Sequence, residues 1–324
     1  MDSSISQNKQ RIYLWDNLKI VLILFVVIHH ASAPYGLLEG QKWYKMLLMI
    51  IMPYTMSAFT IISGYWFKPR SVNVLARKFL LPALLVLFLC FGLWPYSRYY
   101  DGKYCPWTLD IMWYLWVLFF YYLITPKLLK YNLNVILIAS ILLSLFAGFF
   151  SCIGVSFSLG RMIGFYPFFL LGIKIRLSAK WSALSKSKRA ITVARIVFAV
   201  TLILYFVLFL YDNSLSRYIS FSNRYDQKWF SVLYRLFTYL ICTVLSLSLI
   251  LSMPNTKYWF TKYGSRSLTP YLLHPLFLYS LSWKLAIPIM NEWYGYIFYM
   301  LIIPALCMMT VHSKIDGFVK KLTS

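Results

Sequence analysis

Apolar residues in this chain come in long, nearly uninterrupted runs, and the short stretches between them hold most of the charge. The runs fall at about 18–34, 46–67, 79–95, 111–126, 133–151, 159–173, 191–211, 230–252, 268–284 and 287–312. Most approach the roughly 20 residues that a helix needs to cross hydrocarbon. No water reaches the backbone at that depth, so each run must satisfy its own N–H and C=O groups as an α-helix. The pattern therefore predicts an all-α, polytopic membrane helix bundle with about ten transmembrane helices. The sixth run is short and contains Arg161, and it is expected to be a tilted or interrupted helix buried against its neighbours. The last two runs share a soft boundary near Ala286. No repeat or linker divides the chain, so residues 1–324 read as a single domain. The first run does not read as a cleavable signal peptide, because no small-residue cleavage site stands near Pro34 and further spans follow.

Composition sharpens this picture. The chain has 324 residues, 60% of them hydrophobic, with 32 basic and 9 acidic side chains and a net charge of +23. Soluble domains are roughly 45–50% apolar. A charge of +23 suits nucleic acid in principle, but these cations are scattered through the short connections, and no nucleic-acid motif accompanies them. Basic residues spaced in that way set topology against anionic lipid. With the amino terminus inside, the inner segments carry more than twice the Lys and Arg of the outer ones, and the even number of spans agrees with that. Both termini are expected in the cytoplasm.

The candidate chemistry is sparse. Of the nine acidic residues, only Glu292 is expected near an interface, and none deep in the membrane. That argues against relays or glycosidase pairs built on buried carboxylates. The four histidines, His29, His30, His274 and His312, lack ligand spacing, and no metal is expected. Cys90, Cys242 and Cys307 sit in apolar runs and read as core, whereas Cys105 and Cys152 belong to the outer side. The polar residues expected at membrane depth are Lys19, His29, His30, Ser63, Arg161, Arg235 and His274. Lys19 and His30 lie eleven residues apart in the first run, close to three turns, so they share one helix face about 16 Å apart along the axis. Ionisable groups at that depth are functional by default.

Six segments, in order, resemble the acyltransferase-3 family of integral membrane O-acyltransferases, in particular its fucose 4-O-acetylase-like sugar O-acetyltransferase branch. They are Asp16, Lys19 and His30 in the first span; Ser63, Gly64 and Tyr65 in ISGYWFKPR; and Arg77, Lys78 and Pro82 in ARKFLLP. The others are Trp113 in MWYLWVLFF; Arg161, Pro167 and Gly172 in GRMIGFYPFFLLG; and Tyr271 and His274 in LTPYLLHPLF. The fourth span has aromatic and aliphatic residues where branches of the family carry a glutamate, so any role of that acid is missing. No appended esterase-like domain is expected, so the membrane part or a partner would complete the transfer.

The resemblance implies an enzyme of the bacterial cytoplasmic membrane that moves acetyl from acetyl-CoA to a sugar hydroxyl of a surface polysaccharide or its lipid-linked precursor. Its partners would be acetyl-CoA, that glycan acceptor and the bilayer, with no nucleic acid. His30 would act as general base or acyl relay, in place of a packed ring bonded to a carbonyl. Lys19 would face the acyl donor, although from the residues alone a snorkelling interfacial anchor is the better explanation. Arg161 would meet the acceptor or the developing oxyanion. Arg77 and Lys78 would hold the phosphates of coenzyme A, or serve only as orientation charges. His29, His274, Ser63, Tyr65 and Trp113 would support these groups; Ser63, Gly64 and Tyr65 also let helices approach closely. Tyr96, Tyr99, Tyr100, Tyr104 and Trp107 read as an interfacial aromatic belt. The rival reading is a polysaccharide or lipid-precursor transporter or flippase. Against it stand the absence of matched halves and of buried carboxylates for ion coupling.

Overall fold

The computed structural model describes residues 12–32, 42–93, 99–100, 103–104, 110–150, 152–154, 156–225, 230–281 and 293–323. Tyr96, Trp107, Cys105, Glu292 and the boundary near Ala286 lie outside them. Each of the ten apolar runs contains a helix. In order these are α1 (Tyr13–Ser32), α2 (Lys42–Tyr65), a stretch made of α3 (Val72–Leu75), a π-turn (Ala76–Leu80) and α4 (Leu81–Leu93), α5 (Trp113–Leu128), and α6 (Leu133–Ala147). There follow α7 (Leu159–Leu177), the short α8 (Ala179–Leu184), α9 (Lys188–Tyr211), α10 (Ser231–Ser252), the short α11 (Thr261–Gly264), α12 (Leu268–Leu281), α13 (Trp293–Met309) and α14 (Ser313–Thr323). A two-residue antiparallel ladder, Tyr99–Tyr100 with Lys103–Tyr104, is the one strand pairing among the described residues.

Among the described residues, six helices are long and apolar enough to cross a membrane, or seven if α13 and α14, bent by 69° at their junction, count as one span. Two further apolar helices among the described residues, α6 and α12, are shorter. The 15 residues of α6 reach only about 22 Å, short of the roughly 30 Å of hydrocarbon. The sixth run also differs from expectation. It forms a 19-residue helix, α7, that runs a turn further to Leu177 and brings Lys174 and Arg176 into its last turn. Cations suit the free carbonyls there, and the Arg176 guanidinium donates to the Phe67 carbonyl at 2.9 Å. The first helix starts five residues before the expected run, and this leaves Asp16 buried in its first turn.

One apolar core runs from Leu14 to Val319. The most extensive helix pair in it is α2 with α7, and small residues explain the approach. A Cβ on Gly64 would overlap the backbone of Phe169, and one on Gly172 would overlap the Ile61 carbonyl. Helices in lipid pack by such close backbone contact, because lipid is as apolar as the side chains. Hydroxyls inside these helices are satisfied locally or across the seam. Thr60 donates to the Met56 carbonyl at 2.7 Å, and the Ser57 and Ser246 hydroxyls meet at 2.7 Å between α2 and α10. The π-turn has a covalent cause: Pro82 has no N–H for the carbonyl of Lys78, and the preceding turn widens. The buried cysteines Cys90, Cys242 and Cys307 are core, as expected.

The start of α1 is fastened to the connection after α10. Asn17, fully buried, donates to the Pro254 and Thr256 carbonyls at 3.0 and 2.9 Å and accepts from the Thr261 hydroxyl at 2.5 Å. The Leu14 N–H donates to the Asn255 side chain at 3.1 Å. Asn17→Ala strands two carbonyls and a hydroxyl, so it is expected to destabilise the fold by about 1–3 kcal/mol. A lower thermal unfolding midpoint in detergent would report it; an unchanged midpoint would mean that this connection is held by other contacts.

Candidate functional site

Three imidazoles meet near the end of α1. His29 and His30 pack edge to face with ring centroids 4.8 Å apart, and His30 lies 5.4 Å from His274 of α12 with the rings tilted by 32°. His274 is fully buried, while His29 and His30 are half-buried. The position of His30 two residues before the end of α1 explains this difference from the expected depth.

The setting of His274 follows from the residue after it. Pro275 has no N–H, so within α12 it cannot bond the carbonyl of Tyr271, four residues back. The Nδ1–H of His274 takes that carbonyl at 2.7 Å and the Pro270 carbonyl at 3.1 Å. A carbonyl only accepts, so Nδ1 carries the proton and Nε2 presents a lone pair. That Nε2 is buried and has no hydrogen-bond partner among the described residues. A buried nitrogen without a partner is costly and is the kind of group that a substrate proton completes.

From His274 a ladder of side chains runs back through the bundle. Tyr271 packs against His274 at 5.7 Å, and its hydroxyl donates to the Ile111 carbonyl at 2.9 Å. Tyr114 packs against Tyr271 at 6.1 Å, and its hydroxyl meets that of Ser63 at 2.9 Å. Arg161, in the first turn of α7, lies over the Trp113 ring at 4.9 Å, and its Nε donates to the Ser222 hydroxyl at 2.7 Å. Trp113 in turn packs against Tyr114 with ring centroids 5.7 Å apart, which joins Arg161 to the ladder of tyrosines.

Ser222 belongs to a loop held by Arg235. This guanidinium, 2% exposed, donates to the Ser144 carbonyl at 2.8 Å and the Asn223 carbonyl at 2.7 Å, and lies 4.9 Å over the Tyr225 ring. In the same loop Phe221 has φ 55° and sets its ring against Gly164, where any side chain would collide with it. Arg235 thus positions the partner of Arg161, a role its place inside an apolar run did not reveal. Nothing local pointed to Ser222 either, since it lies 61 residues from Arg161.

Of the residues singled out from sequence, the structure brings His29, His30, His274, Trp113 and Arg161 into one neighbourhood, with Ser63 linked to it through the tyrosines. The others stay at the end where α1 begins. Lys19 pairs with Asp16 at 2.9 Å, one helical turn away, and lies about three turns from His30. Tyr65 packs against Trp15 with centroids 4.2 Å apart and the rings tilted by 37°. Arg77 is exposed in the π-turn, and Lys78 is half-buried beside Phe79. Among the described residues no three His, Cys, Asp or Glu side chains are arranged to hold a metal ion.

The arrangement offers a proton acceptor in a dry setting beside a guanidinium fixed by a hydroxyl and an aromatic face. Those are the parts that an attack by a hydroxyl on an acyl carbonyl requires. A family model described as an acyltransferase domain matches residues 12–312. No curated protein matches the chain, and no solved structure does.

Proposed function

The chain belongs to the acyltransferase-3 family of membrane acyltransferases, and from that premise we propose that it is an O-acetyltransferase. It would move acetyl from acetyl-CoA to a sugar hydroxyl of a bacterial surface polysaccharide or its lipid-linked precursor. It would do so in the cytoplasmic membrane with both termini in the cytoplasm. The observation that carries this reading is the unpartnered Nε2 of His274 in contact with His30, with Arg161 joined to the pair through Trp113, Tyr114 and Tyr271.

In this reading coenzyme A docks at the face where α1 begins, its phosphates against Arg77 and Lys78 and its arm passing Lys19. The acceptor hydroxyl gives its proton to the His30–His274 pair. Its oxygen attacks the thioester carbonyl, and the tetrahedral oxyanion faces the Arg161 guanidinium. Collapse breaks the carbon–sulfur bond, and the proton leaves with the coenzyme A thiol. Burial keeps water from competing for the thioester.

Membranes carrying the protein are expected to release free thiol from acetyl-CoA only when the sugar acceptor is present, with one ester formed per thiol. Movement of labelled solute across vesicles without thiol release would instead identify a transporter.

A further inference from the structure

A cleft of about 970 Å³ opens at the face where α1 begins, between α1, α11, α13 and α14. Its lining includes Ile20, Lys262, Arg266, Met308, Met309 and His312. Ile20 is its sole contribution from α1, ten residues and roughly 15 Å along the helix from His30. The cleft is therefore separate from the imidazole cluster.

Two features define its chemistry. The rim is basic: Lys262 and His312 are exposed, and no carboxylate pairs with Lys262 among the described residues. Arg266 is already engaged, by the Val311 carbonyl at 2.9 Å and by Asp316 at 3.5 Å. The wall is apolar and continues out of the cleft: Met309, Ala305 and Leu301 are all exposed and recur every four residues on α13. That spacing places them in one line along the helix, roughly 12 Å long. Trp259, 79% exposed, stands beside the rim as an interfacial aromatic does. A soluble anion uses the rim and leaves the apolar track uncovered. An amphiphile with a phosphate head uses both.

We propose that this cleft binds an anionic phospholipid of the adjoining leaflet, with its phosphate against Lys262 and His312 and one acyl chain along Leu301, Ala305 and Met309. Bound there, the lipid bridges α11 and α14 to α13 on the side opposite to the imidazoles.

The test is native mass spectrometry of the full chain released from nanodiscs of equal phosphatidylglycerol and phosphatidylcholine. Phosphatidylglycerol is expected to be retained selectively. Reversing one rim charge with Lys262→Glu changes the local charge by two units, which weakens retention on the order of thirtyfold, whereas Lys262→Arg preserves it. Ala305→Trp blocks the chain track without touching charge and is expected to lower retention as well, so the proposal stays testable if the charge reversal disturbs folding. Equal retention of the two lipids, or retention unmoved by both Lys262→Glu and Ala305→Trp, overturns it. Displacement of the lipid by adenosine 3′,5′-bisphosphate or inorganic phosphate also overturns it, by assigning the cleft to a soluble phosphate.

Discussion

Replacing His30 with alanine is expected to lower acyl transfer by roughly 10²–10⁴-fold, the usual contribution of a positioned general base. The protein should still fold, because the ring is half-buried and sits near a helix end. His274→Ala is expected to cost a similar factor in rate. The double variant should be little worse than either single one, since groups that act as a unit lose their effect together. Pro275→Ala separates positioning from chemistry. It restores an N–H that competes for the Tyr271 carbonyl, loosens the tautomer of His274, and should give a smaller loss in rate with the same affinity for donor. Single-turnover thiol release in membranes measures all four variants, and the thermal midpoint in detergent checks that they are folded. Near-normal transfer by folded His30→Ala protein would remove the imidazole pair from the reaction.

Gly172→Leu is expected to abolish the folded protein. Overpacking a core with extra methylenes costs about 1–3 kcal/mol when side chains can shift. Here the first carbon of any side chain already overlaps the Ile61 carbonyl and the Tyr65 N–H nitrogen, and backbone in two paired helices has little room to give. Domains hold only about 5–15 kcal/mol of stability, so separating α2 from α7 leaves no margin. Size-exclusion profiles of detergent extracts should show loss of the monodisperse peak. Gly317→Ala serves as control, because a Cβ there meets nothing within 4 Å and helix propensity improves by about 1 kcal/mol. A monodisperse, active Gly172→Leu protein would mean that the α2–α7 crossing is not essential.

Helical segments were readable from hydrophobic runs alone, because lipid leaves the backbone no other way to satisfy itself. Their ends were less so. The sixth run gains a turn through Lys174 and Arg176, whose long stems carry charge away from the helix axis. The first begins early enough to bury Asp16, which Lys19 neutralises at 2.9 Å. The imidazole cluster was half legible. His30 and His274 stood out as ionisable groups in apolar runs, but their contact joins positions 244 residues apart, which no periodicity encodes. Tyr65 sits in the same motif as Ser63 yet packs with Trp15. Asn17 was not singled out, and Arg235 stood out only as a cation at membrane depth with no role attached, because their partners are main-chain carbonyls from distant segments, and a carbonyl leaves no trace in residue identity.

The long reach of these contacts bears on how the chain matures. A ribosome delivers α1 first and α12 near the end, so His30 waits through most of synthesis for its counterpart. The loop that fixes Arg161 cannot close until Arg235 has emerged and found the Ser144 and Asn223 carbonyls. Nascent chains stopped before α10 therefore hold neither half of the candidate site in place. For the proposed reaction, activity would then arrive late and all at once, and a half-inserted protein could not waste the thioester.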